Sequence, residues 1–253
     1  MCYITNNQMK REEILQSIGR FRKGIFKILI AFILLGIIIF PFSKALLRHL
    51  QDTNLGNDLV AFGIPEAFFS IFKLTLFASL FCSMPILFYQ VWKSIAPMFR
   101  LRGMKSAAPI FLTALFLFYL GASFCYFVTL PFGVRFLLGY QSAHIKPMIS
   151  VGNYISFCAF FVFGFGLTFE LPLILALLSY LNVVNASFLT RNRRYALLLI
   201  AIIAAVVTPT PDFFNMALMG GPLYILFEIG IILVKIIERK RMRTKASSLG
   251  NSL

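Results

Sequence analysis

Long apolar runs separated by short polar segments make up most of this chain. A helix needs roughly 20 largely apolar residues to cross a bilayer. Six runs approach or exceed that length, and they cover residues 25–47, 70–92, 109–138, 154–181, 195–207 and 216–237. The fifth run is short because it ends before Pro209, and Gly220-Gly221-Pro222 predicts a break that shortens the sixth. We therefore predict an all-α integral membrane protein with six transmembrane helices, of which the fifth and sixth are short.

The composition supports a membrane protein and narrows its partners. Hydrophobic residues make up 59% of the chain and charged residues 13%, whereas soluble domains carry about 25% charged residues. The net charge of +15 could indicate nucleic acid, but the 24 Lys and Arg residues cluster at the borders of the apolar runs. That placement is typical of membrane proteins. We predict the lipid bilayer as a partner and no nucleic-acid binding.

The charges of the loops predict the orientation of the helices. The N-terminal segment, the second and fourth loops and the C-terminal tail are rich in Lys and Arg, whereas the first, third and fifth loops are not. Since basic loops stay in the cytoplasm, six spans place both termini there. The predicted organisation is a cytoplasmic N-terminal segment (1–24), a transmembrane domain (25–237) and a basic cytoplasmic tail (238–253).

Two acidic residues lie inside predicted spans. Glu170 is near the middle of the fourth, where a charge costs about 2.5–3.5 kcal/mol, so a functional role is the favoured interpretation. The alternative is a carboxyl that is hydrogen-bonded inside the bundle and serves folding alone. Glu228 lies in the sixth span, too far from Lys235 to pair with it, so we predict a contact with another helix or water. Lys73 lies near a span end and is expected to extend toward the interface.

Signatures of catalysis and of metal binding are absent from the sequence. The two histidines, His49 and His144, fall in predicted loops, and neither an HExxH motif nor a phosphate-binding loop occurs. The four cysteines form no CxxC pair. We therefore predict a protein that is not an enzyme and that has no cofactor or metal.

Several segments together resemble the TatC family, the multispan core of the twin-arginine (Sec-independent) protein translocase. They occur in the family's order and spacing over roughly residues 60–235. The segments are Pro65-Glu66-Ala67-Phe68-Phe69, Ser83-Met-Pro85-Ile-Leu-Phe-Tyr-Gln-Val-Trp92, Ile95-Ala-Pro97, Leu117-Phe-Tyr-Leu-Gly121, Leu130-Pro131-Phe132, Asn153-Tyr-Ile-Ser-Phe157, Phe169-Glu170-Leu-Pro172, Arg193-Arg194-Tyr195, Thr208-Pro209 and Leu226-Phe-Glu228-Ile-Gly230.

This resemblance implies a fold, a location and a function. The fold is a cup-like helical bundle in the cell inner membrane. The function is to receive the signal peptides of folded cargo proteins and to take part in their export, which the proton-motive force drives. The implied partners are single-span proteins of the TatA/TatB type, and the implied state is a homo-oligomer.

The resemblance also assigns roles to individual residues. Glu170 corresponds to the family's intramembrane carboxylate, and Glu66 and Asp212 to acids that face the outside. Thr208 lies by the end of the fifth span, where the family docks its partner helix. Pro85, in the second span, and Glu228, in the sixth, are expected to be structural.

The chain departs from the family at the cytoplasmic signal-peptide site. Arg22 aligns with the first arginine of the N-terminal signature, where Arg20 replaces a glutamate, Gly103 replaces a second glutamate, and Ser94 replaces an aromatic residue. Carboxylates bind arginine in a bidentate manner, so these changes predict recognition that is weakened, altered or shifted to Glu12 and Glu13. An alternative function is a TatC-derived membrane scaffold or assembly protein without translocation activity. A small-solute transporter is disfavoured because the sequence lacks repeats and paired charges.

Overall fold

The structure is a computed structural model that describes residues 24–54, 59–95, 104–138, 149–207 and 213–250, and these ranges are predominantly helical. A 3-10 turn (Phe40–Phe42) joins α1 to α2, and a π-helical turn (Cys125–Thr129) joins α4 to α5. The α-helices are α1 (residues 24–39), α2 (Ser43–Asn54), α3 (Ile64–Ile95), α4 (Met104–Phe124), α5 (Leu130–Leu138), α6 (Val151–Phe169), α7 (Leu171–Tyr180), α8 (Ala186–Arg191), α9 (Arg193–Val207) and α10 (Phe213–Gly250). The predicted all-α class is confirmed.

Five helical segments are long and apolar enough to cross a membrane. They are Gly24–Gln51, Pro65–Lys93, Ala108–Arg135, Val151–Tyr180 and Met219–Arg243. Large apolar side chains remain exposed on them, among them Ile37 (68% exposed) and Phe127 (70% exposed). Such a surface is suited to hydrocarbon and not to water. The chain is therefore built as a multi-pass membrane protein.

The two helices that were expected to be short differ from each other. Helix α9 has 15 residues, a rise of ~22 Å, which agrees with a short fifth helix. The predicted break in the sixth is wrong, because α10 runs uninterrupted for 38 residues and contains Pro222. Gly220 faces α9, since a Cβ there would lie in ordinary contact, 3.7 Å from the Ile200 side chain and 3.9 Å from Ala204 Cβ, whereas a Cβ on Gly221 would meet nothing within 4 Å. Membrane helices tolerate proline where neighbouring groups compensate for the missing hydrogen bond.

The other three prolines singled out from the sequence have unequal effects. Helix α3 passes through Pro85 without interruption. Pro131 follows the π-helical turn, in which the Leu130 N–H donates to the Cys125 carbonyl, and Pro172 follows the boundary between α6 and α7. A proline lacks an N–H and crowds the preceding turn, which accounts for the local change of helix type at these two places.

The chain divides into two compact units, and the boundaries fall after Leu115, after Pro147 and after Ala159. The first unit contains α1 to α3, the first part of α4 and the start of α6. Its core is built from Leu74, Val151 and Ile155, against which Leu46 and Leu50 of α2 pack. The Tyr154 hydroxyl donates to the Leu50 carbonyl across 3.2 Å. The start of α6 is therefore fixed against α2 and α3.

Three buried hydroxyls of α3 are satisfied within their own helix, whereas the Ser70 hydroxyl has no hydrogen-bond partner among the described residues. Thr75 donates to the Ile71 carbonyl, and Ser79 and Ser83 donate to the carbonyls three residues earlier, each at 2.9 Å. In lipid a polar group finds no water, so this backbone bonding makes the three residues compatible with a membrane span.

The second unit contains the rest of α4 and α6 together with α5 and α7 to α10. The end of α7 has Asn182 at φ 61°. The Asn182 N–H donates to the Ser179 carbonyl and the Val183 N–H to the Leu178 carbonyl, which is the Schellman arrangement. Asparagine tolerates the left-handed conformation better than most residues. This cap ends the fourth span and starts the segment that leads to α8.

Candidate functional site

Glu170 occupies the interruption between α6 and α7. Its φ and ψ are −71° and −14°. Its N–H donates to the Leu167 carbonyl at 3.2 Å, a 3-10 pattern, and its carbonyl accepts from the Ile174 N–H at 2.9 Å. Pro172, two residues later, cannot donate a backbone hydrogen bond. The fourth span is therefore interrupted at its carboxyl-bearing residue.

The Glu170 side chain is buried, with 6% of its surface exposed. Its Oε1 atom has no hydrogen-bond partner among the residues that the structure describes. A buried polar atom without a partner destabilises a fold by about 1–3 kcal/mol. The alternative interpretation was a carboxyl that is hydrogen-bonded inside the bundle and serves folding alone. The Oε1 atom does not support it, because this atom makes no such hydrogen bond in the described part of the chain.

Helix α4 makes a close contact with α6 just before Glu170. A Cβ on Gly121 would lie 2.8 Å from the Phe165 carbonyl oxygen and 2.6 Å from Phe169 Cγ. A Cβ on Gly166 would lie 2.6 Å from the Phe118 ring. Carbon atoms do not approach this closely, so only glycine fits at either position. The two glycines allow α4 and α6 to pack with almost no space between them.

Helix α10 makes a close contact just after Glu170. A Cβ on Gly230 would lie 2.6 Å from Leu175 Cδ1 and 3.4 Å from Pro172 Cα. Helix α4 therefore packs on the turns that precede the carboxyl, and α10 on the turn that follows it. Together these contacts hold the interrupted segment from both ends and account for the burial of Glu170.

Glu228 has partners on two helices. Arg193, the first residue of α9, forms an ion pair with it, with Nη2 3.0 Å from Glu228 Oε2. The Tyr224 hydroxyl donates to Oε1 at 3.0 Å. The predicted contact with another helix is confirmed. Tyr224 and Glu228 lie one helical turn apart, so their spacing in the sequence indicates that they can be in contact. Nothing in the sequence identifies Arg193 as a partner of Glu228.

Glu66 connects two segments of the first unit that are far apart in the sequence. One carboxylate oxygen accepts from the Phe62 N–H at 2.7 Å, and the other accepts from the Ser150 hydroxyl. Beside it, the Val60 N–H donates to the Ile149 carbonyl, and the Val151 N–H donates to the Val60 carbonyl. The carboxylate therefore joins the segment before α3 to the start of α6.

Lys73 has a hydrogen-bond partner on another helix. Its ammonium donates to the Ser156 hydroxyl at 2.9 Å, and Ser156 donates in turn to the Gly152 carbonyl at 2.7 Å. The side chain is half-buried between α3 and α6. The prediction that Lys73 extends toward the interface stays a prediction, and the contact with α6 adds a partner that the sequence did not indicate.

The remaining predicted site residues are described in part or lie outside the described ranges. Pro85 is in α3, and Ser94 is in the last turn of that helix. Arg22, Gly103, Thr208 and Asp212 lie outside the described residues, so their roles stay predictions. Within the described ranges, His, Cys, Asp and Glu do not form a group of three or more that could hold a metal ion.

Comparison with known proteins relates the chain to one family. Residues 16–222 match the family described as Sec-independent protein translocase protein (TatC). The Sec-independent protein translocase protein TatC of Carboxydothermus hydrogenoformans is 34% identical over 229 residues, which are 90% of this chain and 94% of that protein. That of Desulforapulum autotrophicum is 34% identical over 197 residues, which are 78% of this chain and 73% of that protein.

The fold is similar to that of a solved structure. The crystal structure of the twin arginine translocase receptor TatC superimposes with a TM-score of 0.76 at 31% identity, and the match covers 87% of this chain and 98% of that one. The interrupted fourth span, the short α9 and the glycine contacts described above thus occur in a chain whose sequence and fold both match the same family. The chain belongs to the TatC family of Sec-independent protein translocase proteins.

Proposed function

We propose that this chain receives the signal peptides of folded cargo proteins and takes part in their proton-motive-force-driven export across the inner membrane. Membership of the TatC family makes it the TatC subunit of the twin-arginine translocase, a transport component and not an enzyme. The similar crystal structures bear the name of a twin arginine translocase receptor, which supports the receptor role.

The observation that carries the proposal is the buried carboxyl of Glu170. Its Oε1 atom has no partner in the described part of the chain, and the close contacts at Gly121 and Gly230 hold the segment around it. Such an acceptor can bond to a donor that another protein supplies in the assembled translocase. Ionisable residues inside membrane spans are by default functional, and this one is retained at a cost in stability.

The other site residues have proposed roles that follow the resemblance to the family. Arg22, Ser94 and Gly103 belong to the cytoplasmic face that meets the signal peptide, and Glu66 and Asp212 are acids of the outside face. Thr208, just after α9, docks the helix of a single-span partner of the TatA/TatB type. The active state contains several copies of the chain. The scaffold alternative and a weakened recognition of arginine pairs gain no support from the described residues or the relatives.

The proposed topology has six spans and cytoplasmic termini. Helix α9 is the short fifth span, and a locally thinned bilayer accommodates it. The alternation of basic and non-basic loops supports this orientation. A reporter fused after residue 145 is expected to lie outside the cytoplasm, so that alkaline phosphatase is active there and green fluorescent protein is not. A fluorescent reporter at that position would contradict the orientation.

Complementation of a strain without its own TatC tests the function. The chain, expressed together with its TatA/TatB-type partners, is expected to restore export of a folded reporter that carries a twin-arginine signal peptide. Replacement of the arginine pair by lysines is expected to lower export by about tenfold or more, since lysine cannot bind in a bidentate manner. No export by a stably inserted chain that copurifies with its partners would favour a scaffold instead.

A further inference from the structure

The segment that connects α7 to α9 contacts α10 through two carboxylates. The segment contains the short helix α8 (Ala186–Arg191) and leads directly into α9. Glu228 and Glu238 are the acidic residues of α10, and they lie about 15 Å apart along it. One bonds near the start of the segment, and the other bonds just after its end. Glu238 bonds to the first residue of α8, and Glu228 bonds to the first residue of α9.

Glu238 provides a cap for α8 from outside that helix. Its Oε1 atom accepts from the Ala186 N–H at 2.9 Å. Asn185, at the N-cap position, makes no side-chain cap hydrogen bond. The first N–H groups of a helix have no partner within the helix, and a carboxylate there is favoured by the helix dipole. Ala186 and Leu189 are buried, so α8 is also docked through its apolar side.

Glu228 fixes the start of α9. Both of its oxygens are used, one by Arg193 and one by Tyr224. Arg193 belongs to α9 and Tyr224 to α10, so the carboxylate joins the two helices. Its side chain is 27% exposed, so solvent screens the pair in part, and the contribution to overall stability is modest.

Basic residues occur on both sides of the two contacts. The connecting segment and the start of α9 carry Arg191, Arg193 and Arg194, and the end of α10 carries Arg239, Lys240, Arg241 and Arg243. Like charges brought together repel each other. Glu228 and Glu238 are the groups of α10 that can offset this repulsion while also forming hydrogen bonds.

We infer that Glu228 and Glu238 form a clamp that sets the position of α9 along α10. They are positioning residues and do not themselves contact cargo. The link to transport rests on the function proposed above, because α9 ends beside Thr208, the proposed docking site of the partner helix. The position of α9 itself can be measured without cargo or partners.

Two pairs of positions allow this measurement by disulfide formation. A Cβ on Gly220 would lie 3.9 Å from Ala204 Cβ, and a Cβ on Gly230 would lie 3.6 Å from Leu175 Cβ, both within the range for a disulfide. In a variant without native cysteines, Ala204→Cys with Gly220→Cys reports the contact of α9 with α10. Leu175→Cys with Gly230→Cys reports the contact of α7 with α10 and serves as the control.

The full chain is compared in membranes with Glu228→Gln, Glu238→Gln, both together, and the charge control Lys235→Gln. The α9–α10 disulfide is expected to form about threefold more slowly in each single variant and about tenfold more slowly in the double variant, because glutamine keeps an acceptor oxygen but removes the charge that strengthens each hydrogen bond. The α7–α10 disulfide and Lys235→Gln are expected to match the parent.

Two results would overturn the clamp. One is unchanged α9–α10 crosslinking in the double variant, and the other is an equal fall for both disulfides, which would indicate general destabilisation. Failure of the parent chain to restore export would count against the proposed function and would leave these crosslinking rates unaffected.

Discussion

Replacement of Glu170 by leucine is expected to reduce export strongly while making the protein more stable. The carboxyl is buried, and its Oε1 atom has no partner within the described residues. An apolar side chain of similar size removes the cost of that atom and is expected to stabilise the protein by about 1–3 kcal/mol. Export is expected to fall by about tenfold or more, the equivalent of one lost hydrogen bond to a charged group. Thermal unfolding in detergent and export of a twin-arginine reporter measure the two effects.

Two further variants separate the possible causes of such a loss. Glu170→Gln keeps the shape and one acceptor oxygen, so partial export would indicate that hydrogen bonding contributes, and complete loss would indicate a need for the carboxyl. Thr168→Val is the control, because the Thr168 hydroxyl bonds only to the Gly164 carbonyl of its own helix in the described structure. Normal export by Glu170→Leu would refute the functional interpretation of this residue.

Replacement of Gly121 by alanine is expected to destabilise the protein strongly, although alanine is the better helix former. The added Cβ would lie 2.8 Å from a backbone oxygen, that of Phe165, and backbone cannot move aside as the end of a side chain can. Overpacking of this kind costs about 1–3 kcal/mol. We expect a lower unfolding temperature in detergent and less protein in the membrane. Gly166→Ala is expected to act in the same direction through the Phe118 ring.

The controls for this prediction lie in the same unit and carry the same change. A Cβ on Gly133 of α5 or Gly164 of α6 meets nothing within 4 Å. Gly133→Ala and Gly164→Ala are therefore expected to stabilise the protein by about 0.5–1 kcal/mol through helix propensity. If Gly121→Ala and Gly133→Ala shift the unfolding temperature alike, the contact of α4 with α6 is not as close as described.

The sequence predicted those features that depend on local composition. Five of the six apolar runs coincide with helices that are long and apolar enough to cross a membrane, because a span is defined by its length and hydropathy. The interruption at Glu170 was not predicted, although Pro172 is a local signal for it, since proline acts on its own helix. Glu170 itself was identified because a charged residue inside a membrane span is energetically costly and therefore rare.

Features that depend on neighbouring helices were not predicted correctly. Gly220 suggested a break, but it packs against Ile200 and Ala204 of α9, and a contact between helices leaves no local signal. The partner of Glu228 was missed for a similar reason, since Arg193 lies 35 residues away. The contact of Lys73 with Ser156 was not predicted either, because Ser156 belongs to another span.

The first helix stands apart in how it gains its stability. In the segment Gly24–Gln51 none of the most apolar stretch is buried by the rest of the protein. Transfer of this helix from the insertion machinery into lipid therefore supplies most of the free energy that stabilises it in the membrane, before any tertiary assembly begins. Evolution can exchange one aliphatic residue for another along most of this helix, whereas the tightly packed glycines of α4, α6 and α10 leave hardly any such freedom.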